Sequence, residues 1–195
     1  MSYLSSPPED LAGETVEEMF RVDRERVGYV PNYTKLFALH PDAYRGWRSL
    51  IGAIAGQMDQ RRYELATVGA ARRLRSSYCS LAHGSILADE FLGPEVVEDL
   101  MSDPSSAPID ELERAIVLLA GKVADDATAV SEADIATLRD QGLSDREIFD
   151  VILAACARSF FSKVLDATGT LADGVYRELD PQLRDALTVG RPIEG

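Results

Sequence analysis

Apolar residues recur every three to four positions along almost the whole chain, and no segment alternates apolar and polar residues over the length of a strand. This pattern predicts an all-α fold. Helices are predicted at residues 14–28, 31–40, 40–57, 61–74, 76–93, 95–101, 110–125, 131–142 and 143–169. Ser131 and Ser144 are expected N-caps, the latter in a capping box with Glu147, and Gly28 and Gly142 are expected ends.

The clearest loop is SDPSSAP at residues 102–108, because Ser, Asp and Pro all favour turns. It divides the chain into two halves that are too short to fold comfortably alone. We therefore predict a single all-α domain over residues 1–195. The terminal segments 1–13 and 170–195 are the parts whose structure the pattern does not define.

Composition narrows the possible partners and the compartment. With 195 residues, 46% of them hydrophobic, the chain is long enough for one substantial core. Its 20 Lys and Arg against 33 Asp and Glu give a net charge of −13, which repels phosphate backbones and anionic lipids. Nucleic acid and membranes are therefore not expected partners. Since no apolar run reaches the roughly 18 residues that span a bilayer and no secretory signal opens the sequence, we expect a cytoplasmic protein.

The candidate chemistry lies in SSYCSLAHG, residues 76–84, which holds one of two cysteines and one of two histidines. If Ser76 caps this helix and its hydroxyl accepts from the Cys79 amide, the thiol stands in the first turn. The positive end of the helix dipole then favours the thiolate, which is the reactive form. Residues four apart share a helix face, with Cβ atoms about 5–6 Å apart, so His83 is expected to reach Cys79 directly or through one water.

A histidine in this role needs a group that orients its other nitrogen, and Glu64 is the best candidate. Its neighbours one turn along, Val68 and Ala71, are apolar, and an unpaired carboxylate on such a face would be costly. The turn to the next helix is short, so the two helices are expected to pack antiparallel and to bring Glu64 to His83.

Other interpretations of the same residues stay open. A buried cysteine and a hydrogen-bonded histidine are common in protein cores, and Glu64 alone fits an ion pair. A zinc site would use Cys79, His83 and Glu64 but lacks a fourth ligand. No metal, flavin or haem motif is present, so no cofactor is expected.

The second cysteine, Cys156, is predicted to be a core residue. It falls in a helical stripe with Phe149, Leu153, Phe160 and Val164. Nearer the N-terminus, an amphipathic pattern in the predicted helix at residues 40–57 indicates core packing or an oligomer surface for Tyr44, Trp47 and Leu50. Free thiols are expected rather than a disulfide.

The arrangement around the thiol resembles the alkyl hydroperoxidase D (AhpD) and carboxymuconolactone decarboxylase superfamily, particularly its peroxidase-related branch. The peroxidase members carry a glutamate and, after eleven intervening residues, Cys-x-x-Cys-x-x-x-His. Glu64, Ser76, Cys79 and His83 occupy these places with the spacing preserved, and Tyr78 matches a tyrosine often found before the second cysteine.

Further segments extend the resemblance to most of the chain, from about residue 14 to residue 170. VGYVPNYTKLFALHP (27–41) is similar to the N-terminal region of the peroxidase-related proteins. SEADIATLRDQGLSDREIFDVILAACA (131–157) and FFSKVLDATG (160–169) are similar to their later helices. The resemblance implies an AhpD-like helical bundle and a homo-oligomer.

One departure from the family pattern bears on mechanism. In the family scheme the second motif cysteine attacks the peroxide and becomes a sulfenic acid, and the first then forms a disulfide with it. Ser76 stands at the first position and cannot do so. Cys156 would replace it only with Cα atoms within about 7 Å, which a core position argues against.

The resemblance therefore implies a one-cysteine thiol peroxidase in which Cys79 is the nucleophile, activated by His83 and Glu64. Ser76 and Tyr78 support the site, Ser76 through the cap and a hydrogen bond to the sulfur. The implied partners are a small-molecule peroxide and an external thiol reductant. Two alternatives remain: a carboxymuconolactone decarboxylase-like lyase, and a non-catalytic helical oligomer whose Cys79 senses oxidation.

Overall fold

A computed structural model of the chain describes residues 2–5 and 13–195. The described residues form helices joined by turns and loops, and their one β-type pairing is an isolated bridge between Ala172 and Ile193, so the all-α prediction is confirmed. They form ten α-helices: α1 (Glu14–Val27), α2 (Asn32–Phe37), α3 (Pro41–Ala55), α4 (Gln60–Leu74), α5 (Ser77–Leu87), α6 (Pro94–Ser102), α7 (Glu111–Asp126), α8 (Glu132–Asp140), α9 (Asp145–Ala167) and α10 (Pro181–Leu187).

The helix boundaries follow the local signals in the sequence closely. Ser131 and Ser144 cap α8 and α9 in reciprocal capping boxes, as predicted for Ser144 with Glu147. Helix α5 continues beyond Leu87 as one π-helical stretch, Ala88–Leu92. Gly93, with a φ of 84°, then turns the chain into α6.

Helix α4 forms the axis of the molecule. Every residue from Tyr63 to Ala71 is buried, because α5, α7 and α9 pack around this helix. The contact with α7 is especially close at Gly69, where a Cβ atom would lie 2.6 Å from the carbonyl oxygen of Val117. A helix buried on all sides can bring a polar side chain such as Glu64 into the interior only if a partner is provided.

The C-terminal segment, which the hydrophobic pattern left undefined, is ordered against the bundle. A 3₁₀ turn at Gly174–Glu178 leads into α10, which packs against α5 and α6. Leu187 is fully buried there and lies against Gly84 of α5. The predicted N-terminal segment 1–13 falls largely outside the described residues.

The predicted core stripe containing Cys156 is wrong. Cys156, Phe149 and Phe160 are exposed, the two phenylalanines by 57% and 48%. Helix α9 instead packs inward through a neighbouring stripe that includes small and polar residues. Its buried members include Val151, Ala154, Ala155, Arg158, Ser162 and Leu165. The small side chains of this stripe allow close approach of α9 to α4. Phe161 is buried beside them, whereas Phe149 and Phe160 are left on the outer face.

No helix of the described residues combines the length and apolar character needed to cross a bilayer.

Candidate functional site

Glu64 and His83 meet across the α4–α5 pair, as the antiparallel packing predicts. The Glu64 Oε2 atom lies 2.6 Å from His83 Nδ1, and Glu64 is only 4% exposed. A carboxylate accepts hydrogen bonds, so we assign the proton to Nδ1. The Nε2 atom of a neutral His83 is then left with a free lone pair, which can accept a proton.

The surroundings of His83 favour its neutral form. Burial lowers the pKa of His83 below its ordinary value of 6.5, and the nearby positive charge of Arg158 lowers the pKa further. The Glu64 carboxylate acts in the opposite direction without reversing this result. His83 is therefore a neutral base at neutral pH rather than a fixed cation.

Cys79 is the third residue of α5 and is only 1% exposed. Its sulfur receives two contacts from α9: the Ser162 hydroxyl donates at 3.1 Å, and Nη1 of Arg158 lies 3.6 Å away. A hydroxyl donor and a positive charge at the sulfur would stabilise the negative charge of a thiolate formed during a reaction.

Arg158 is a buried cation, 3% exposed. Burial acts to lower its pKa, but the Cys79 sulfur and the Tyr63 hydroxyl together raise it, so the guanidinium stays charged. Its Nη2 atom donates to Tyr63 at 3.3 Å, while Nε finds no acceptor among the described residues. A buried charge is stabilised by a compensating charge, and a thiolate formed on Cys79 during a reaction would supply one at contact distance.

A cavity of about 290 Å³ joins these groups. Cys79, His83 and Arg158 lie on its wall together. The rest of the wall is largely aromatic, formed by Tyr29, Tyr33, Trp47, Tyr63, Tyr78, Phe161 and Tyr176. Trp47, whose role as core or oligomer residue was left open, stacks on Phe161 with ring centroids 4.1 Å apart. The thiol, the imidazole and the space for a reactant are thus adjacent.

The sequence prediction for Ser76 is wrong in detail. Ser76 is the N-cap of α5, but its hydroxyl makes no capping hydrogen bond and does not contact the sulfur. The hydrogen bond to sulfur comes from Ser162 instead. Nor does a direct hydrogen bond join His83 to Cys79 in the described structure, which leaves the cavity between them as the route for a proton.

Tyr78 supports the cavity wall rather than the sulfur. Its hydroxyl donates to the Asp173 carboxylate, which also accepts from the backbone N–H of Asn32 at 2.8 Å. Burial and the Asp173 charge raise the pKa of Tyr78 well above its ordinary value, so the phenol stays protonated. This bond ties the C-terminal segment to α5 beside Cys79.

Arg158 and Ser162 are the functional candidates that the sequence interpretation missed. They stand four residues apart on α9, and therefore on one helix face. The available signal was that these two polar residues share helical spacing with Val151, Ala154 and Leu165. The stripe of larger apolar residues beside them made this pattern hard to recognise. Among the described residues, no cluster of three or more His, Cys, Asp or Glu side chains could hold a metal ion.

The fold and the site together define a class: a helical bundle in which a buried thiol and a histidine line one cavity, and a buried carboxylate holds the histidine. Among solved structures, an AhpD-core, peroxidase-related protein from Ralstonia eutropha JMP134 matches with a TM-score of 0.80 at 21% identity, covering 97% of this chain and 98% of that chain. A peroxidase-related protein from Silicibacter sp. TM1040 matches with a TM-score of 0.82 at 23% identity, over 91% and 94% of the two chains.

A debrominase has the same fold. Its ligand-free structure matches with a TM-score of 0.75 at 14% identity, over 94% of this chain and 97% of that chain. Its complex with 2,3,4-tribromopyrrole matches with a TM-score of 0.71. A search of protein-family models and of curated proteins finds no match. The structural likenesses establish the AhpD-like fold that the motif spacing indicated.

Proposed function

We propose that this protein is a thiol-dependent peroxidase that uses Cys79 as its nucleophile. The observation that carries the proposal is the set of contacts around the Cys79 sulfur. Arg158 and Ser162 contact the sulfur from α9, and Cys79 shares a cavity with His83. A structural cysteine needs neither a buried guanidinium nor an adjacent cavity. Two of the matched structures are peroxidase-related proteins, which agrees with this assignment.

The first half-reaction is the reduction of the peroxide. His83 accepts the thiol proton at Nε2 through a water or the bound peroxide, and Arg158 compensates the thiolate that forms. The sulfur attacks one peroxide oxygen; the S–O bond forms as the O–O bond breaks. His83 returns the proton to the departing alkoxide, so Cys79 and ROOH become a sulfenic acid and ROH.

The second half-reaction requires thiols from outside the chain. Ser76 carries no sulfur, and Cys156 lies exposed on the outer face of α9, while Cys79 is held by the inner face. An external thiol therefore condenses with the sulfenic acid and releases water. A second thiol then attacks the mixed disulfide, which releases an external disulfide and restores the Cys79 thiol. Glu64 acts as a positioning residue throughout by holding the His83 ring and its tautomer.

A second candidate is reductive debromination of a brominated aromatic ring, which the aromatic cavity wall favours. Like peroxide reduction, this reaction consumes two electrons, which are supplied by thiols. The thiolate attacks bromine, the S–Br bond forms as the C–Br bond breaks, and the ring carbon takes a proton from His83. An external thiol then displaces bromide, and another restores Cys79.

A turnover assay tests the proposal and separates the alternatives. Peroxide loss is followed with a thiol donor for the wild type, Cys79→Ser and, as matched control, Cys156→Ser. We expect turnover in the wild type and in Cys156→Ser but none in Cys79→Ser. Equal activity in the wild type and Cys79→Ser contradicts the proposal.

The same proteins are tested with 2,3,4-tribromopyrrole for bromide release and with a carboxymuconolactone for decarboxylation. Bromide release without peroxide turnover favours the second candidate. Decarboxylation that survives Cys79→Ser identifies a lyase, and oxidation of Cys79 without any turnover identifies a sensor.

A further inference from the structure

The size of the cavity indicates an organic ligand. Its volume of about 290 Å³ equals that of roughly ten waters, at about 30 Å³ each. Hydrogen peroxide would fill a small part of it, whereas pockets for small organic molecules begin near about 300 Å³. The aromatic wall offers an apolar surface against which a ring or short alkyl chain packs.

Most of the charged groups that line the cavity contact a polar or charged partner. Arg158 contacts Cys79 and Tyr63. The Nη2 atom of Arg26 lies 2.9 Å from the Asp23 carboxylate. Asp173 in turn accepts from Tyr78, as described above.

Arg48 is the exception. It lies at the cavity on the exposed side of α3, and no carboxylate of the described residues forms an ion pair with it. The adjacent Trp47 adds an indole N–H that is buried and finds no acceptor among the described residues. An unpaired buried donor is costly, and an oxygen of a bound ligand would relieve that cost.

Building on the proposed peroxidase function, we propose that the cavity selects organic hydroperoxides that carry a carboxylate. The ligand carboxylate pairs with Arg48 at the rim, its apolar body packs on the aromatic wall, and its peroxide group reaches Cys79. Arginine is suited to this role because its planar fork matches a carboxylate. In a chain of net charge −13, a local cation is needed to hold an anionic ligand.

Binding is measured without chemistry, through the fluorescence of Trp47, the only tryptophan of the chain. The probes are 4-isopropylbenzoate and the uncharged 4-isopropylbenzyl alcohol. We expect the carboxylate to bind about tenfold more tightly than the alcohol, with a preference that declines as salt is raised. Arg48→Gln is expected to remove this preference.

The matched control is Arg45→Gln, because Arg45 is on the same helix, pairs with Asp42 and lies outside this cavity. Arg45→Gln should retain the preference. Equal binding of the two probes by the wild type, or a preference that Arg48→Gln leaves intact, overturns the proposal.

Turnover provides the second readout. The ratio of kcat/KM for 4-carboxycumene hydroperoxide to that for cumene hydroperoxide should exceed one in the wild type and fall about tenfold in Arg48→Gln. Arg45→Gln should keep the wild-type ratio. If neither hydroperoxide is turned over but the binding preference is found, the peroxidase assignment fails and the carboxylate site stands. Turnover of both with a ratio near one overturns the carboxylate site alone.

Discussion

At the scale of single residues, the site depends on the buried positive charge of Arg158, whose burial was not predicted from the sequence. An arginine within the segment ACARSFF is ordinarily interpreted as solvated. The structure buries Arg158 against Cys79, while Cys156, two positions earlier, is exposed. By contrast, the Glu64–His83 contact was predictable, because a carboxylate on an apolar face and a histidine on the next helix each required a partner.

The first prediction concerns the support of the thiolate by Arg158. In a Cys156→Ser background, Arg158→Met should slow iodoacetamide labelling of Cys79 at pH 7 about tenfold or more, because the compensating charge is lost. Arg158→Lys should restore part of the rate. Arg146→Met, an exposed arginine on the same helix, should label like the parent. Unchanged labelling of the folded Arg158→Met protein would show that this guanidinium does not support the thiolate.

The second prediction concerns the protonation of His83. His40, the other histidine, caps α3 through a hydrogen bond at Nδ1, so His40→Gln leaves a single histidine signal in NMR spectra. We expect His83 to titrate below pH 6.5, for the reason of burial and Arg158 given above. A midpoint at or above 6.5 contradicts the neutral-base role.

The same shift affects stability with a definite sign. The unfolded chain binds a proton at His83 near pH 6.5, while the folded chain binds it only at lower pH. The free energy of unfolding should therefore fall as the pH drops from 6.5 to the folded pKa of His83. His83→Gln should reduce this loss, as measured by urea unfolding between pH 7 and 5, and an unchanged pH profile would argue against the shift.

At the scale of elements, the presence of helices α1 to α9 was predictable from the sequence, but the face that each helix directs toward the core was less so. Caps and turn residues defined α8 and α9 well, because these signals are local. The inward face of α9 was misassigned because two adjacent stripes of this helix both show helical spacing, and the predicted stripe through Cys156 and Phe160 lies on the outer face. The central position of α4 depends on how three other helices pack, which periodicity does not encode.

The third prediction tests the close packing of α4 against α7. Gly69→Ala should destabilise the protein by about 1–3 kcal/mol, because its Cβ would meet the backbone of Val117. Gly46→Ala in α3, where a Cβ meets nothing within 4 Å, should instead stabilise by about 0.5–1 kcal/mol. Chemical denaturation compares the two. Similar changes in both variants would be inconsistent with a tight α4–α7 contact.

At the scale of the whole molecule, the C-terminal segment completes the fold around the site. Its sequence shows little helical periodicity, so only its tertiary contacts reveal that α10 and Asp173 brace α5. The homo-oligomer implied by the family resemblance stays a prediction. The exposed Phe149 and Phe160 on α9 are the residues at which a subunit contact is to be sought.

The fourth prediction measures the contribution of this segment. Leu187→Ala should lower the free energy of unfolding by about 2–5 kcal/mol, because a fully buried leucine leaves a cavity beside Gly84. Leu50→Ala, at a position that is 50% exposed, should cost much less. Equal costs for the two variants would mean that α10 does not pack as described.

The central claim, that Cys79 is the thiol that meets peroxide, is tested most directly by a single turnover without reductant. One equivalent of cumene hydroperoxide is added to the wild type, the sulfenic acid is trapped with dimedone, and peptides are analysed by mass spectrometry. We predict that the label appears on Cys79 within the first turnover and that His83→Gln slows its appearance about a hundredfold. Labelling of the exposed Cys156 while Cys79 stays a thiol would contradict the account.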